Sequence, residues 1–239
     1  MPHPFGMNPN EVLVEDCVKK VREIYDTLPL TTCDHKTDCC KAGNPNFYYC
    51  EFLSVREGSV DRMPKNDRLE LTIECLRRYL TKQGTPKPCV FLKGNYCSIY
   101  KVRQFKCRSY GLIPQDLYAK NVKQVALEMG KPQDDVPLCK QCDRVKIRPE
   151  FKERFPDDVI PEERIKEIER SFREIDIRLG IPKTLQDKGF GFLTYHDWHL
   201  MFELGENWME GLSKLRVGLA DDKQEQFLDV LKKALAAKM

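Results

Sequence analysis

Residues 88–111 read PCVFLKGNYCSIYKVRQFKCRSYG. Cys89 and Cys97 flank VFLKGNY, and Gly94-Asn95 within it is a turn signal, so a hairpin can bring the two sulfurs together. Cys107 follows, surrounded by Arg103, Lys106 and Arg108. Two other stretches share this character. Residues 31–40, TTCDHKTDCC, carry Cys33, Cys39 and Cys40, and residues 137–142, PLCKQC, carry Cys139 and Cys142. These eight cysteines lie on short, turn-rich segments, and Cys50 is a candidate ninth.

The compartment decides how such cysteines are read. The N-terminal MPHPFGMNPNE has no apolar run, so neither a signal peptide nor an anchor is expected there. No later stretch approaches the roughly 20 apolar residues that span a bilayer. The sequence therefore predicts a cytoplasmic protein without a membrane span. Thiols stay reduced in the cytoplasm, and clustered cysteines serve there as metal ligands or redox groups rather than as disulfides. The total of 11 cysteines is odd, which excludes complete pairing.

Thiolates select soft or borderline metals, whereas calcium and magnesium want oxygen. Four thiolates complete one zinc site or anchor one four-iron cluster. Cys33, Cys39, Cys40, Cys89, Cys97, Cys107, Cys139 and Cys142 therefore suffice for two such sites, and spacing does not say which four belong together. Cys139 and Cys142, two residues apart, can point at one metal from a tight turn or form a dithiol redox pair. The adjacent Cys39 and Cys40 diverge in an extended chain, so they share a metal only across a kink or serve two sites. The basic residues around Cys107 would lower thiol pKa and offset the negative charge of a thiolate-bound cluster, or simply form a solvated surface. Phe47, Tyr48, Tyr49, Phe91, Tyr96, Tyr100, Phe105 and Tyr110 would shield such a site from water or build an ordinary core.

The remaining composition narrows the function. Of 239 residues, 41% are apolar, enough for a packed core. The 40 basic and 37 acidic residues leave a net charge of only +3. Since they are interspersed, no dedicated nucleic-acid or membrane surface is expected.

Along the chain, Asn8-Pro9-Asn10-Glu11 reads as a helix start, and Val14, Cys17, Val18, Val21, Ile24, Tyr25 and Leu28 share one helical face. Cys17 within that stripe is a core residue. Phe47–Val55, FYYCEFLSV, suits a short strand containing Cys50. Asn66 or Asp67 caps a helix to Leu80 with Leu69, Ile73, Leu76 and Leu80 inward, and Cys75 beside them is again a core thiol. Asp116 opens a helix with Tyr118, Val122, Val125 and Met129 on one face and Gly130 as its stop. Cysteines cease after Cys142, which places a boundary near Pro149. Residues 1–149 would form a loop-rich cysteine metal-binding domain with an N-terminal helix, and residues 150–239 a helical region. There, Ile165, Ile168, Phe172, Ile175 and Leu179 form a stripe ended by Gly180, and Asp221 caps a last helix with Phe227, Leu231 and Leu235. The predicted fold is mainly α with a few short strands. His196 and His199, three apart, could join Glu203 in a second metal site, but an aromatic helix packed on the core is the favoured reading. His35, among cysteines, is read as exposed.

The cysteine pattern resembles the YkgJ-type cysteine-cluster family of zinc- or iron-chelating domains. A run ending in paired cysteines (Cys33, Cys39, Cys40) precedes Pro88, Cys89, Phe91 and Leu92, then Cys97, Ile99, Tyr100, Arg103, Cys107, Arg108 and Tyr110. The likeness covers about residues 33–142. Lys36 stands where the family run often has another cysteine, Gln104 where a proline follows the arginine, and Gly111 where a proline follows the tyrosine. Cys50, or Cys139 with Cys142, would then complete the ligand set. The resemblance implies metal chelation without a single activity. Flagellin lysine methylases carry a similar cluster, although this chain has no glycine-rich cofactor loop. The sequence is thus read as an iron–sulfur protein with one or two 4Fe-4S clusters, acting in electron transfer or as the accessory subunit of a redox complex. The alternatives are a zinc-stapled interaction protein, a metallochaperone and a metal-dependent modifying enzyme.

Overall fold

The computed structural model describes residues 11–32, 40, 45–80, 88–130, 132–135, 145–181, 193–205, 211–212, 214 and 221–238. Among these residues the chain forms eight α-helices and one two-stranded antiparallel hairpin. The expected mainly helical fold with a few short strands is the one adopted.

The first helix, α1 (Glu11–Asp26), buries Cys17, Val18, Val21 and Tyr25 along the predicted stripe. Its expected cap at Asn8 lies outside the described residues. The segment read as a strand is instead α2 (Tyr49–Gly58). Every residue from Tyr49 to Arg56 is buried. A helix buried on all sides has no polar face, so its sequence lacks the 3.6-residue alternation that marks a helix. Two carboxylates satisfy its first amides. Tyr49 N and Cys50 N donate to Asp176 Oδ2 and Oδ1 at 3.0 and 2.7 Å, and Tyr48 N donates to Glu51 Oε2 at 3.2 Å. These are the orphan donors of a helix start, and anionic partners suit the positive end of the helix dipole.

The other elements gather around α2. Val60–Arg62 forms a short 3-10 turn, followed by α3 (Lys65–Leu80). Leu69, Ile73, Leu76 and Leu80 face inward as read, and Cys75 is fully buried. Strands β1 (Leu92–Lys93) and β2 (Tyr96–Cys97) pair Leu92 with Cys97 and Lys93 with Tyr96. Gly94 in the turn has φ 58°, a left-handed conformation open to glycine. The four-residue α4 (Phe105–Arg108) precedes α5 (Gln115–Met129), which ends at Gly130 with φ 61°. That stop matches the sequence reading. Then come α6 (Glu162–Arg178), α7 (Tyr195–Leu204) and α8 (Asp221–Lys238). All of the stripe Ile165, Ile168, Phe172, Ile175 and Leu179 is buried.

Aromatic packing joins α2 to α6 and α7. Tyr49 lies 4.9 Å from Trp198 and Phe52 lies 5.4 Å from Tyr195, while Tyr25 meets Phe172 edge-on at 5.9 Å. Trp198 Nε1 donates to the Phe47 carbonyl at 2.9 Å, satisfying the one polar atom of the buried indole. Arg56, almost wholly buried, binds Glu203 at 2.6 Å and Asp61 at 2.7 Å and lies 4.0 Å over the Phe202 ring. One buried cluster contains Cys17, Phe52 and Leu76 together with Ile165, Phe172, Trp198 and Leu231, so both sides of Pro149 contribute to the same core. No helix among the described residues is long and apolar enough to cross a membrane.

Candidate metal centre

At the hairpin Cys40, from a distant stretch of sequence, meets Cys97 through its side chain and Cys89 through the backbone. Cys40 is buried, and its carbonyl accepts the Cys89 amide at 2.6 Å. Cys97, half-buried at the end of β2, shares a side-chain hydrogen bond with Cys40. The hairpin is closed by Leu92 N donating to Cys89 O at 3.0 Å and Ser98 N to Phe91 O at 2.9 Å. Helix α3 holds the approach to it, because the Arg78 guanidinium donates to the carbonyl of Pro88, the residue before Cys89.

The Cys97 thiol is pushed down to about 7. The hydrogen bond with Cys40 is the main cause, burial opposes it, and the Ile99 backbone and the Arg103 guanidinium add to the lowering. A sulfur with these surroundings is readily a thiolate, the form that binds metal. Arg103 is stacked 3.8 Å over the Tyr100 ring, which holds its charge beside the pair. Cys89 is half-buried and lies within electrostatic reach of Cys75. Burial, more than this neighbour, drives the Cys75 thiol well above its ordinary value, so Cys75 stays a protonated core residue.

Cys107 is half-buried on α4, and the Gln104 amide donates to its sulfur at 3.6 Å. Gln104 also caps this short helix by accepting from Lys106 N at 2.7 Å, and Glu51 Oε1 accepts from Phe105 N at 2.6 Å. The same Glu51 oxygen accepts from the Tyr25 hydroxyl at 2.6 Å. This buried carboxylate therefore ties α1, α2 and the cysteine-bearing α4 together. Burial pushes its pKa up, against the hydrogen bonds from Tyr25, Phe105 and Tyr48. Asp176, buried under α2, is pushed up to about 7 for the same reason, against the Cys50 and Tyr49 donors. Neither carboxylate was singled out by the sequence reading. The available signal was a lone acid inside an apolar run for Glu51, in FYYCEFLSV, and an acid set between Ile175 and Ile177 for Asp176.

Cys50 turns toward α6. It is fully buried on α2, and its thiol donates to the Phe172 carbonyl at 3.7 Å. Burial and then the neighbouring Asp176 and Glu51 raise its pKa well above that of a free thiol. Cys17 is likewise fully buried, as read. Cys33, Cys39, Cys139 and Cys142 lie outside the described residues, as do His35 and Lys36. Among the described residues no three His, Cys, Asp or Glu side chains come close enough to hold a metal ion. The described part of the chain thus contributes the Cys40–Cys97 pair, with Cys89 bonded to it through the backbone.

The histidines of α7 belong to the packing. His199 is fully buried, with Nε2 2.9 Å from Thr72 Oγ1 and Nδ1 3.3 Å from the Tyr195 hydroxyl. Burial, with Arg56 and Arg68 nearby, lowers it to about 3, so the ring is neutral. His196 Nδ1 is 2.8 Å from Thr194 Oγ1, and Glu203 is held by Arg56. These contacts pack α7 on the core, as an aromatic helix would.

Compared with protein-family models, curated proteins and solved structures, the chain matches none.

Proposed function

We propose that this chain is a cysteine-ligated metal protein, an iron–sulfur protein that acts in electron transfer or as the accessory subunit of a larger redox complex. The observation that carries the reading is the convergence of cysteines from distant segments: Cys40 shares a side-chain hydrogen bond with Cys97 and takes the Cys89 amide on its carbonyl at 2.6 Å. Two thiols converging from distant segments, one of them poised as thiolate, fit a sulfur-selecting metal. Cys40 and Cys97 would supply two ligands. Cys33 and Cys39, just before Cys40, and then Cys89, Cys107, Cys139 and Cys142 are the candidates for the rest. A cluster bound there would supply one-electron chemistry. The chain's own part is to hold Cys40 buried beside the half-buried Cys97 and to offset sulfur charge with Arg103.

Zinc is the second reading. Around the sulfurs the regular structure consists of two-residue strands and a four-residue helix, elements short enough to need a staple. Structural zinc can supply about 10–16 kcal/mol of apparent binding energy to folding. Anaerobic purification followed by metal analysis and an absorption spectrum separates the two readings. A brown protein with iron, sulfide and absorbance near roughly 400 nm is expected for a cluster. A colourless preparation with stoichiometric zinc would replace the redox reading with the staple.

A further inference from the structure

The charge of this molecule is evenly mixed except at the cysteine hairpin. From Pro88 to Gln115 there is no aspartate or glutamate, while Lys93, Lys101, Arg103, Lys106 and Arg108 all fall there. The folded chain gathers several of these cations. Lys93 and Tyr96 are paired across the hairpin and both are exposed, Tyr96 to 57%. Arg108 donates to the Arg103 carbonyl at 2.7 Å and the Lys101 carbonyl at 2.8 Å, fixing the turn that displays both residues. None of Lys93, Lys101, Arg103 or Arg108 forms an ion pair among the described residues. The acids facing Arg108 are Asp26 and the buried Glu51. Among the described residues this absence of ion pairs contrasts with α3 and α6, where Arg77, Arg78, Arg164 and Lys166 are paired with glutamates.

We propose that this basic rim is the docking face for a small acidic electron-carrier protein, held so that the carrier lies against the Cys40–Cys97 pair. The inference rests on the redox reading above. Three features favour a protein over a nucleic acid. The rim is compact, confined to one hairpin and the turn after it, whereas nucleic-acid binders neutralise many phosphates along a stripe. Tyrosine and arginine are enriched in protein interfaces, and here Tyr96 is exposed opposite Lys93 while Arg103 lies over the Tyr100 ring. Weak redox complexes are small and electrostatically steered, which suits Lys93, Lys101 and Arg103, none of them in an ion pair among the described residues.

The test uses the full chain, purified anaerobically, and a small acidic [2Fe–2S] ferredoxin as probe, with binding measured by calorimetry at about 50 mM and about 0.3 M salt. The unmodified chain should bind the probe and weaken steeply with salt. The double variant Lys93→Glu/Lys101→Glu, changed only at exposed residues, should bind about tenfold more weakly at low salt. Its metal content and circular dichroism should be unchanged. Equal affinity of variant and wild type, or salt-insensitive binding, overturns the docking face. So does a single-stranded oligonucleotide that binds more tightly than the ferredoxin with the same dependence on Lys93 and Lys101. Metal identity is read separately: a zinc-loaded protein sinks the redox reading, whereas a brown protein with no charge-dependent binding sinks only the docking face.

Discussion

Asp176 Oδ1 accepts the Cys50 amide at 2.7 Å, so a carboxylate on α6 caps a helix more than a hundred residues earlier in the chain. Its other oxygen takes the Tyr49 amide at 3.0 Å, and the group is 2% exposed. The cap fixes where α2 begins. Through Glu51, the next residue, whose Oε1 accepts the Phe105 amide, α2 also fixes where the cysteine-bearing α4 sits.

Replacing Asp176 by alanine leaves two buried N–H groups unpaired and should cost about 2–3 kcal/mol in urea denaturation, with Asp176→Asn costing less. The pH dependence has a definite sign. The folded pKa of about 7 exceeds the ordinary 3.8, so the folded state holds the extra proton. This contribution is fully present below about pH 4 and is lost as pH rises to about 7. Asp176→Asn should remove it, and identical pH profiles for wild type and variant would refute the assignment.

His199 acts in the opposite direction over nearly the same range. Its folded pKa of about 3 lies below the ordinary 6.5, so its contribution is present above pH 6.5 and lost as pH falls toward 3. His199→Phe keeps a ring of similar size against Tyr195 while removing the proton site. The variant should lose less stability on acidification than the wild type, at a constant cost of about 1–2 kcal/mol for the lost hydrogen bonds to the Tyr195 and Thr72 hydroxyls, the latter still donating to the Arg68 carbonyl. Denaturation midpoints measured between pH 4 and 7 would show a parallel offset, with no change of slope, if His199 titrated normally.

The cysteines should divide cleanly on alanine substitution. Cys40→Ala and Cys97→Ala should abolish or halve bound metal in the purified protein. Cys75→Ala and Cys50→Ala should leave metal per protein unchanged while lowering stability by about 1–2 kcal/mol, the cost of a small cavity. Metal lost in Cys75→Ala but retained in Cys97→Ala would invert the assignment.

Gly58 at the end of α2 touches the turn that follows the hairpin. A Cβ there would lie 2.7 Å from Val102 Cγ1 and 3.3 Å from its Cβ. Gly58→Ala should destabilise the protein by about 1–3 kcal/mol through overpacking. Gly58→Ala/Val102→Ala should recover part of that loss if steric contact is the cause. A double variant no better than the sum of the single ones would point to backbone strain instead.

The helices were legible wherever one face meets water. α1, α3 and α6 each show their apolar stripe, and Gly130 and Gly180 end α5 and α6 where the sequence places the stops. α2 was not legible, because a helix enclosed by α1, α6 and α7 needs no polar face and its aromatics resemble a strand. Cys17 and Cys75 could be assigned to the core by periodicity, and Gly94-Asn95 announced the hairpin. Sequence alone thus determined the helical class, the turn that carries Cys97 and which thiols to set aside. Only the tertiary structure decided that Cys97 meets Cys40, that Cys50 turns to the Phe172 carbonyl, and that Glu51 and Asp176 hold the cysteine-bearing segments in place. Those outcomes depend on which distant groups satisfy buried amides and thiols, and that pairing exists only once the helices have packed.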